Sequence, residues 1–308
     1  MPKAAVTTAK RSSAKKSVKS SMPKTIPYRR IPNVIELSKG ALVVLWRQRW
    51  TIILILISYG IVNFAIAQGF SSGLSVTSAK TQLDSLFHGH LSGLSGNLSV
   101  YALMLGSFGG SSTGGGGFGY SMLLAIIASL AIIWVLRNSS NNVGASVKDA
   151  FYKGVYPLIP FVAILLIIGL ELLPMILGIS IYVTAINDVI AVTALEKLLF
   201  TVIAIAMSLP TIYWLSSSII ALYIVTLPDM TPFKALRSAR DLVRKRRFLI
   251  LPRLAFLPIA LFILSALIVL PFIAWAAPAA PWVFFFASLL MLSLTHSYLY
   301  NLYRELLI

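Results

Sequence analysis

An all-α membrane protein is the fold class this sequence predicts: about six transmembrane helices in three hairpins, each hairpin preceded by a basic amphipathic helix at the membrane interface. Three observations predict it. Of 308 residues, 58% are hydrophobic and only 11% charged, which is more apolar surface than a soluble core of that length can bury. Six apolar runs, at 50–68, 120–136, 155–178, 198–226, 248–274 and 282–302, approach the roughly 20 residues a helix needs to cross a hydrocarbon layer of about 30 Å. Lys and Arg fall on alternate connections between those runs: twelve precede Trp50, 137–154 carries Arg137, Lys148 and Lys153, and 227–253 carries eight. The intervening 69–119, 179–197 and 276–281 connections hold only Lys80 and Lys197. By the positive-inside rule this places both ends in the cytoplasm, with Arg304 inside, in a multi-pass protein of the cytoplasmic (inner) membrane.

Taken in order, residues 1–32 are mostly Lys, Arg, Ser, Thr, Ala and Pro, with no acid and few large apolar residues, a composition that cannot bury enough surface to order itself, and a disordered basic cytoplasmic tail is expected. Tyr28 is the one aromatic residue in it, too few to stack bases between the cations, so nucleic acid is not the expected partner. Residues 33–308 form the polytopic membrane domain. Ala65-Ile66-Ala67 before Gln68 imitates a signal-peptidase site, but the long positive region and long apolar run fit an uncleaved span better.

A threefold pattern follows, in which a short basic amphipathic segment leads into each hairpin. The copies are Asn33 to Trp50, Ser146 to Tyr156, and Thr231 to Phe248, the last with Phe233, Leu236, Ala239, Leu242 and Val243 on one face and Arg237, Arg240, Arg244, Lys245, Arg246 and Arg247 around it. Each is expected to lie in the cytoplasmic interface, its apolar face in the acyl boundary and its cations at lipid phosphates. At about 1 kcal/mol per cation near an anionic surface, the third copy contributes several.

The 69–119 connection is an external Gly/Ser-rich loop in which Leu83, Leu86, Phe87, His90, Leu91 and Leu94 have helical spacing and Leu98 to Gly106 is apolar enough to enter the membrane in part. Gly114 to Gly117 lacks the strand and the Gly-Lys-Ser/Thr of a phosphate loop and reads as a linker. Asn97-Leu98-Ser99 is a formal glycosylation sequon.

Few polar residues sit within the runs. Glu171 is an acid deep in the third, where an ionised carboxylate costs about 2.5–3.5 kcal/mol, and residue counting puts it level with Asn63 of the first run, so a contact between them is expected. Arg253 and His296 each fall about 10 Å from the cytoplasmic end of their helices, level with Ser216, Ser217 and Ser218. Facing one another they would make a basic pocket for an anionic lipid head group; the plainer alternative is that Arg253 snorkels to the interface. Pro157, Pro160, Pro174, Pro210, Pro252, Pro258 and Pro271 interrupt the later runs, a pattern that membrane helices tolerate and broken-helix transporters share.

Catalytic chemistry finds little support. Cysteine is absent and the three histidines, His88, His90 and His296, have no metal-binding spacing, so neither a metal nor any cofactor is expected. No nucleophile and base pair presents itself.

The stretches Ser129 to Arg137 (SLAIIWVLR), Ala221 to Pro232 (ALYIVTLPDMTP) with Ala235 to Arg240 (ALRSAR), and His296 to Leu306 (HSYLYNLYREL) resemble an uncharacterised six-span membrane protein family of small-genome bacteria. More distantly, the layout from residue 33 onward resembles the membrane domain of glycerophosphodiester phosphodiesterases. The first resemblance implies no assigned activity. In the second, catalysis belongs to a separate soluble barrel for which this chain has no residues to spare, so no functional residue carries over. The expectation is therefore a non-enzymatic membrane protein that organises membrane lipids, anionic ones above all, or a membrane protein partner. The alternative is a transporter or channel component using Glu171.

Overall fold

The computed structural model describes residues 32–65, 94–108, 117–140, 144, 146–187, 191–244 and 246–307. Expectations for the basic tail before Pro32, for the 83–91 helical spacing, for the start of the Gly114–Gly117 linker and for Lys245 lie outside the described residues.

Ten α-helices and one 3₁₀ turn make up the described chain: α1 Val34–Arg47, α2 Arg49–Asn63, α3 Leu94–Phe108, α4 Gly117–Ser140, α5 Val147–Gly154, α6 Leu158–Asn187, α7 Ala194–Ile224, α8 Pro232–Arg244, α9 Arg247–Trp275, the turn Ala277–Ala279, and α10 Ala280–Leu307. No strand occurs among the described residues. Five helices are long and apolar enough to cross a membrane (α4, α6, α7, α9 and α10, the last entered through the 3₁₀ turn), and α1 with α2 makes a sixth span if that pair, which meets at 82°, is counted as one. The chain is a multi-pass, all-helical membrane protein. Alone, the 15 residues of α2 reach about 22 Å at 1.5 Å per residue, less than the hydrocarbon thickness.

Local chemistry sets the boundaries. Asn33 precedes α1 and its backbone N–H donates to Glu36 Oε2 at 3.2 Å. Thr193 caps α7, accepting from the Glu196 N–H at 3.3 Å while its own N–H donates to Glu196 Oε2 at 3.0 Å, a reciprocal capping box. Between α7 and α8, Asp229 takes φ 59, a left-handed conformation that Asp tolerates better than most side chains. Thr231 then accepts from the Lys234 N–H and Pro232 occupies the first turn of α8, where its missing donor costs nothing.

The three amphipathic helices gather at one end of the bundle. The C-terminal part of α10 packs on α1, α8 docks at the end of α7, and α5 covers the end of α4. Leu37 and Ala41 of α1, Ala150 of α5, and Ala235, Ala239 and Val243 of α8 share one buried core with Leu130–Leu136 of α4, Ile220–Ile224 of α7 and Tyr298–Leu306 of α10. This corrects the expectation that their apolar faces lie among acyl chains: most of each face is turned onto the spans, while Phe233 at the start of α8 stays exposed. Small residues are the reason, because Ala at 235 and 239 and Gly at 154 let helices approach closely, and Gly40 leaves room for the Asn301 side chain. A Cβ at Gly154 would stand 3.1–3.3 Å from Trp134 Cβ, the Leu130 carbonyl oxygen and Ala131 Cα.

Exposed aromatics mark two levels. Trp46, Trp50, Tyr152, Tyr156 and Phe248 ring the basic end, and Tyr120, Trp275 and Trp282 stand at the other, as in the aromatic belts of membrane–water interfaces. Helix α3 belongs with the spans: Val100, Tyr101 and Met104 are buried against Val269, Ile273 and Ala287, and the Tyr101 hydroxyl hydrogen-bonds Ser265 Oγ. Part of the expected external loop is thus packed at the level of mid-α9.

Candidate functional site

Among the described residues, the end of the bundle away from α1, α5 and α8 carries Lys197 as its single Lys or Arg. The remaining cations collect where α1, α5 and α8 close over α4, α7 and α10, and this basic end is the candidate site. Arg237, Arg240 and Arg244 of α8 are exposed there. Lys153 pairs with Asp149 at 3.3 Å one helical turn away, an exposed pair of small energetic weight. Arg49 lies over the rings of Trp46 and Trp50, 4.8 and 5.9 Å from their centroids, so charge and aromatic belt meet at the α1–α2 corner.

Arg247 is different. It is only 9% exposed, its guanidinium lies 3.6 Å over the Tyr213 ring of α7, and its Nε and Nη1 are buried without a hydrogen-bond partner. Of the cations expected to bind lipid, this one is turned into the protein. Its neighbour Arg246 is half-buried and Arg244 points outward.

Arg253 and His296 do not form a common pocket. Arg253 Nε donates to the Pro32 carbonyl at 3.0 Å and Nη1 donates to the Leu249 carbonyl, which tethers the start of the described chain to α9. The Arg253 carbonyl in turn accepts from the Tyr298 hydroxyl at 3.0 Å. Residues two apart on a helix face different ways, so when Tyr298 meets α9, His296 turns toward α7, where its Nδ1 pairs with the Tyr223 hydroxyl at 3.1 Å. Residue counting reports the depth of a side chain and not the way it faces.

The expected contact of Glu171 with Asn63 is likewise replaced. Glu171 Oε1 accepts from Ser218 Oγ at 2.7 Å, its Oε2 is buried without a hydrogen-bond partner, and Arg240 is close enough to act on it electrostatically. Asn63 Nδ2 donates to the Tyr59 hydroxyl at 3.1 Å and Asn63 Oδ1 accepts from Ser121 at 3.4 Å, near the opposite end of α4. The error lay in counting depth from the first apolar residue. With 30 residues, about 45 Å of helix, α6 is longer than the layer it crosses, so its fourteenth residue meets α7 only six residues before that helix ends.

Two features carried no signal strong enough for sequence reasoning to find. One is an aromatic cluster in which Tyr223 stacks on Tyr303 (centroids 6.1 Å apart) and meets Tyr300 at 6.3 Å. Beside it, Arg137 Nη1 donates to the Thr226 carbonyl at 2.7 Å and Nη2 donates to the Thr226 hydroxyl. The stretches 129–137, 221–232 and 296–306, distant in sequence, thus converge on one buried arrangement. The other is a cavity of about 260 Å³ among α1, α4 and α10, lined by Arg47, Arg304, Ser139, Ser297, Tyr300 and Asn301 with Val43, Val44 and Leu136. Two of its lining residues also hold its walls together: Ser297 Oγ donates to the Ala41 carbonyl at 2.8 Å and Asn301 Nδ2 donates to the Leu37 carbonyl at 3.1 Å. A separate apolar groove on the α6–α7 hairpin is lined by Tyr182, Thr201, Ala204, Ile205, Ser208, Leu209 and Ile212.

Among the described residues no group of three or more His, Asp or Glu is placed to hold a metal ion. A scan against models of known protein families, a search of curated proteins and a search of solved structures each find no match to this chain.

Proposed function

We propose that this chain is a non-enzymatic protein of the cytoplasmic membrane, both ends in the cytoplasm, that organises anionic lipid or a membrane protein partner through its basic end. One observation carries the reading: three basic helices close over the same end of the spans and share one core with them, so the cations are held on a rigid platform rather than on loops. At about 1 kcal/mol per Lys or Arg near an anionic surface, such a platform attracts phosphate-bearing lipids far more strongly than the opposite end does.

Glu171 supports the transporter alternative less well. Ser218 holds its carboxylate at the α6–α7 crossing, and it lines neither the α1–α4–α10 cavity nor the α6–α7 groove.

Mild extraction from the native membrane, followed by mass spectrometry of the proteins and lipids that stay bound, tests the reading. A stoichiometric protein partner makes the chain an anchoring or assembly subunit, enriched anionic lipid without a partner makes lipid its ligand, and the absence of both overturns it. Orientation is tested separately. The chain has no cysteine, so a single cysteine at Lys153 is expected to react with an impermeant maleimide only from the cytoplasmic side, and one at Lys197 only from the opposite side.

A further inference from the structure

We propose that the cavity among α1, α4 and α10 is a binding site for a phosphate group, as carried by an anionic phospholipid, with Arg47 and Arg304 gripping the phosphate and Ser139 and Asn301 facing its remaining oxygens. The proposal rests on the reading of the basic end given above and gives it a location.

The lining is what a phosphate requires. Two arginines line one cavity from different helices, Arg47 from the last turn of α1 and Arg304 from the last turn of α10, and no carboxylate lines it among the described residues. Planar forked donors match phosphate oxygens two at a time, which a lysine cannot do. Hydroxyl and amide groups of Ser139, Tyr300 and Asn301 supply neutral partners. At about 260 Å³ the cavity accommodates a phosphate with part of a head group. Its Val43 wall is 66% exposed on the outer side of α1, which leaves an apolar path for an attached acyl chain.

Helices α1, α4 and α10 all end here, and each C-terminus carries about half a negative charge, so each arginine could merely offset its own helix end. Magnitudes decide against that as the whole explanation. Three half-charges, about one and a half in all, face the two full charges of Arg47 and Arg304, since Arg137 does not line the cavity and is committed to Thr226 at the end of α7. A net positive field remains, in a cavity with an apolar wall where charge is less screened than in water. The wall is also built to close tolerance. A Cβ at Gly40 would come 2.5 Å from Asn301 Nδ2, so a side chain at residue 40 would displace the Asn301 amide that lines the cavity.

The test uses the full chain purified in detergent, with short-chain phosphatidylglycerol and inorganic phosphate titrated separately and binding read by native mass spectrometry. Both arginines are exposed, so the R47Q/R304Q double variant should keep its fold, checked by its melting temperature. It is expected to bind the lipid at least about tenfold more weakly, having lost two charge-assisted contacts. R304K, which keeps charge but loses the fork, falls between, and keeps the test decisive if the double variant does not fold. K153Q removes a cation of the same end that does not line the cavity and is already paired with Asp149, and it is expected to weaken binding far less than the double variant does. Lipid bound much more tightly than phosphate identifies a head group as the natural source, and equal binding identifies a free anion; either supports the site. If the arginine variants bind both probes as well as the unsubstituted chain, or K153Q weakens binding as much as they do, the cavity is not the site while the wider lipid reading stands. Should the unsubstituted chain bind neither probe, the site and the lipid half of the proposed function fall together.

Discussion

Helix α4 and the α6–α7 hairpin are both apolar enough to cross a membrane, yet they inhabit different surroundings. Of the most apolar window in each helix, 44% is buried inside the protein in α4, against 11% in α6 and 6% in α7. Hydropathy reports that a helix has left water and is silent on whether its neighbours are lipid or protein. Side-chain size does report it. Ala125, Ala128, Ser129 and Ala131 give α4 close contacts on several sides, whereas the hairpin meets itself through Gly178 against Ala204 and Met207 and turns Leu166, Leu170, Leu198 and Leu209 outward.

Truncation should break the symmetry of composition most visibly. Ile132→Ala, at a side chain with no exposure, is expected to cost about 2–5 kcal/mol through lost transfer energy and a residual cavity. Leu170→Ala, 65% exposed on α6, is expected to cost under about 1 kcal/mol because lipid fills the space. Unfolding in mixed micelles with increasing sodium dodecyl sulfate measures both, and equal costs would mean that α4 is as lipid-exposed as the hairpin.

The next contrast lies within the hairpin. A Cβ at Gly178 would meet Met207 Cβ at 3.0 Å and the Ala204 backbone at 3.3 Å, while one at Gly169 meets nothing within 4 Å. Gly178→Leu is therefore expected to separate α6 from α7 at a cost of about 1–3 kcal/mol, the range for overpacking. A disulfide-trapping pair across the crossing should lose efficiency in that variant and keep it in Gly169→Leu.

Legibility in the sequence divides along the same line. Six apolar runs and three basic leads map onto helices because apolar periodicity and charge are local properties of the chain, although the third run, read to residue 178, stops well short of the end of α6 at Asn187. Facing is not local. Depth counting placed Arg253 and His296 at one level and could not see that Tyr298, two residues on, would claim the contact with α9. It set Glu171 beside Asn63 because it assumed that long α6 starts flush with its neighbours. The cavity at Arg47 and Arg304 joins helices separated by most of the chain, and only the small residues Gly40 and Ala41, with Ser297 and Asn301 opposite, hinted at so close a crossing. Tyr300 and Tyr303, three apart on one helix face, were the available sign of the aromatic cluster on Tyr223.

Arg247 sharpens the comparison at the boundary between the two regions, where α9 starts beside α7. Its charge lies 3.6 Å over the Tyr213 ring while two of its nitrogens lack hydrogen-bond partners. A stacked cation is worth about 0.5–2 kcal/mol, but a buried charge that is poorly partnered costs a comparable amount or more. The two substitutions should therefore behave unlike each other. Tyr213→Leu removes the favourable partner and keeps the burden, so it is expected to lower stability by about 1–2 kcal/mol. Arg247→Met removes both together and fills much of the same volume, so it is expected to stay within about 1 kcal/mol of the unsubstituted chain, or to exceed it in stability.

The smallest expected effect is a gain. Gly169 is exposed in the interior of α6 with open space around it, so a methyl group adds no clash and removes the backbone freedom that glycine contributes to the unfolded chain. Gly169→Ala is expected to stabilise the protein by about 0.5–1 kcal/mol, the difference in helix propensity between the two residues in water. Inside lipid the backbone of a displaced span stays helical, which shrinks that gain toward zero. The measured value therefore reports which reference state α6 reaches: a gain near the aqueous figure means the hairpin unravels when it unfolds, and none means it remains an intact helix in the bilayer.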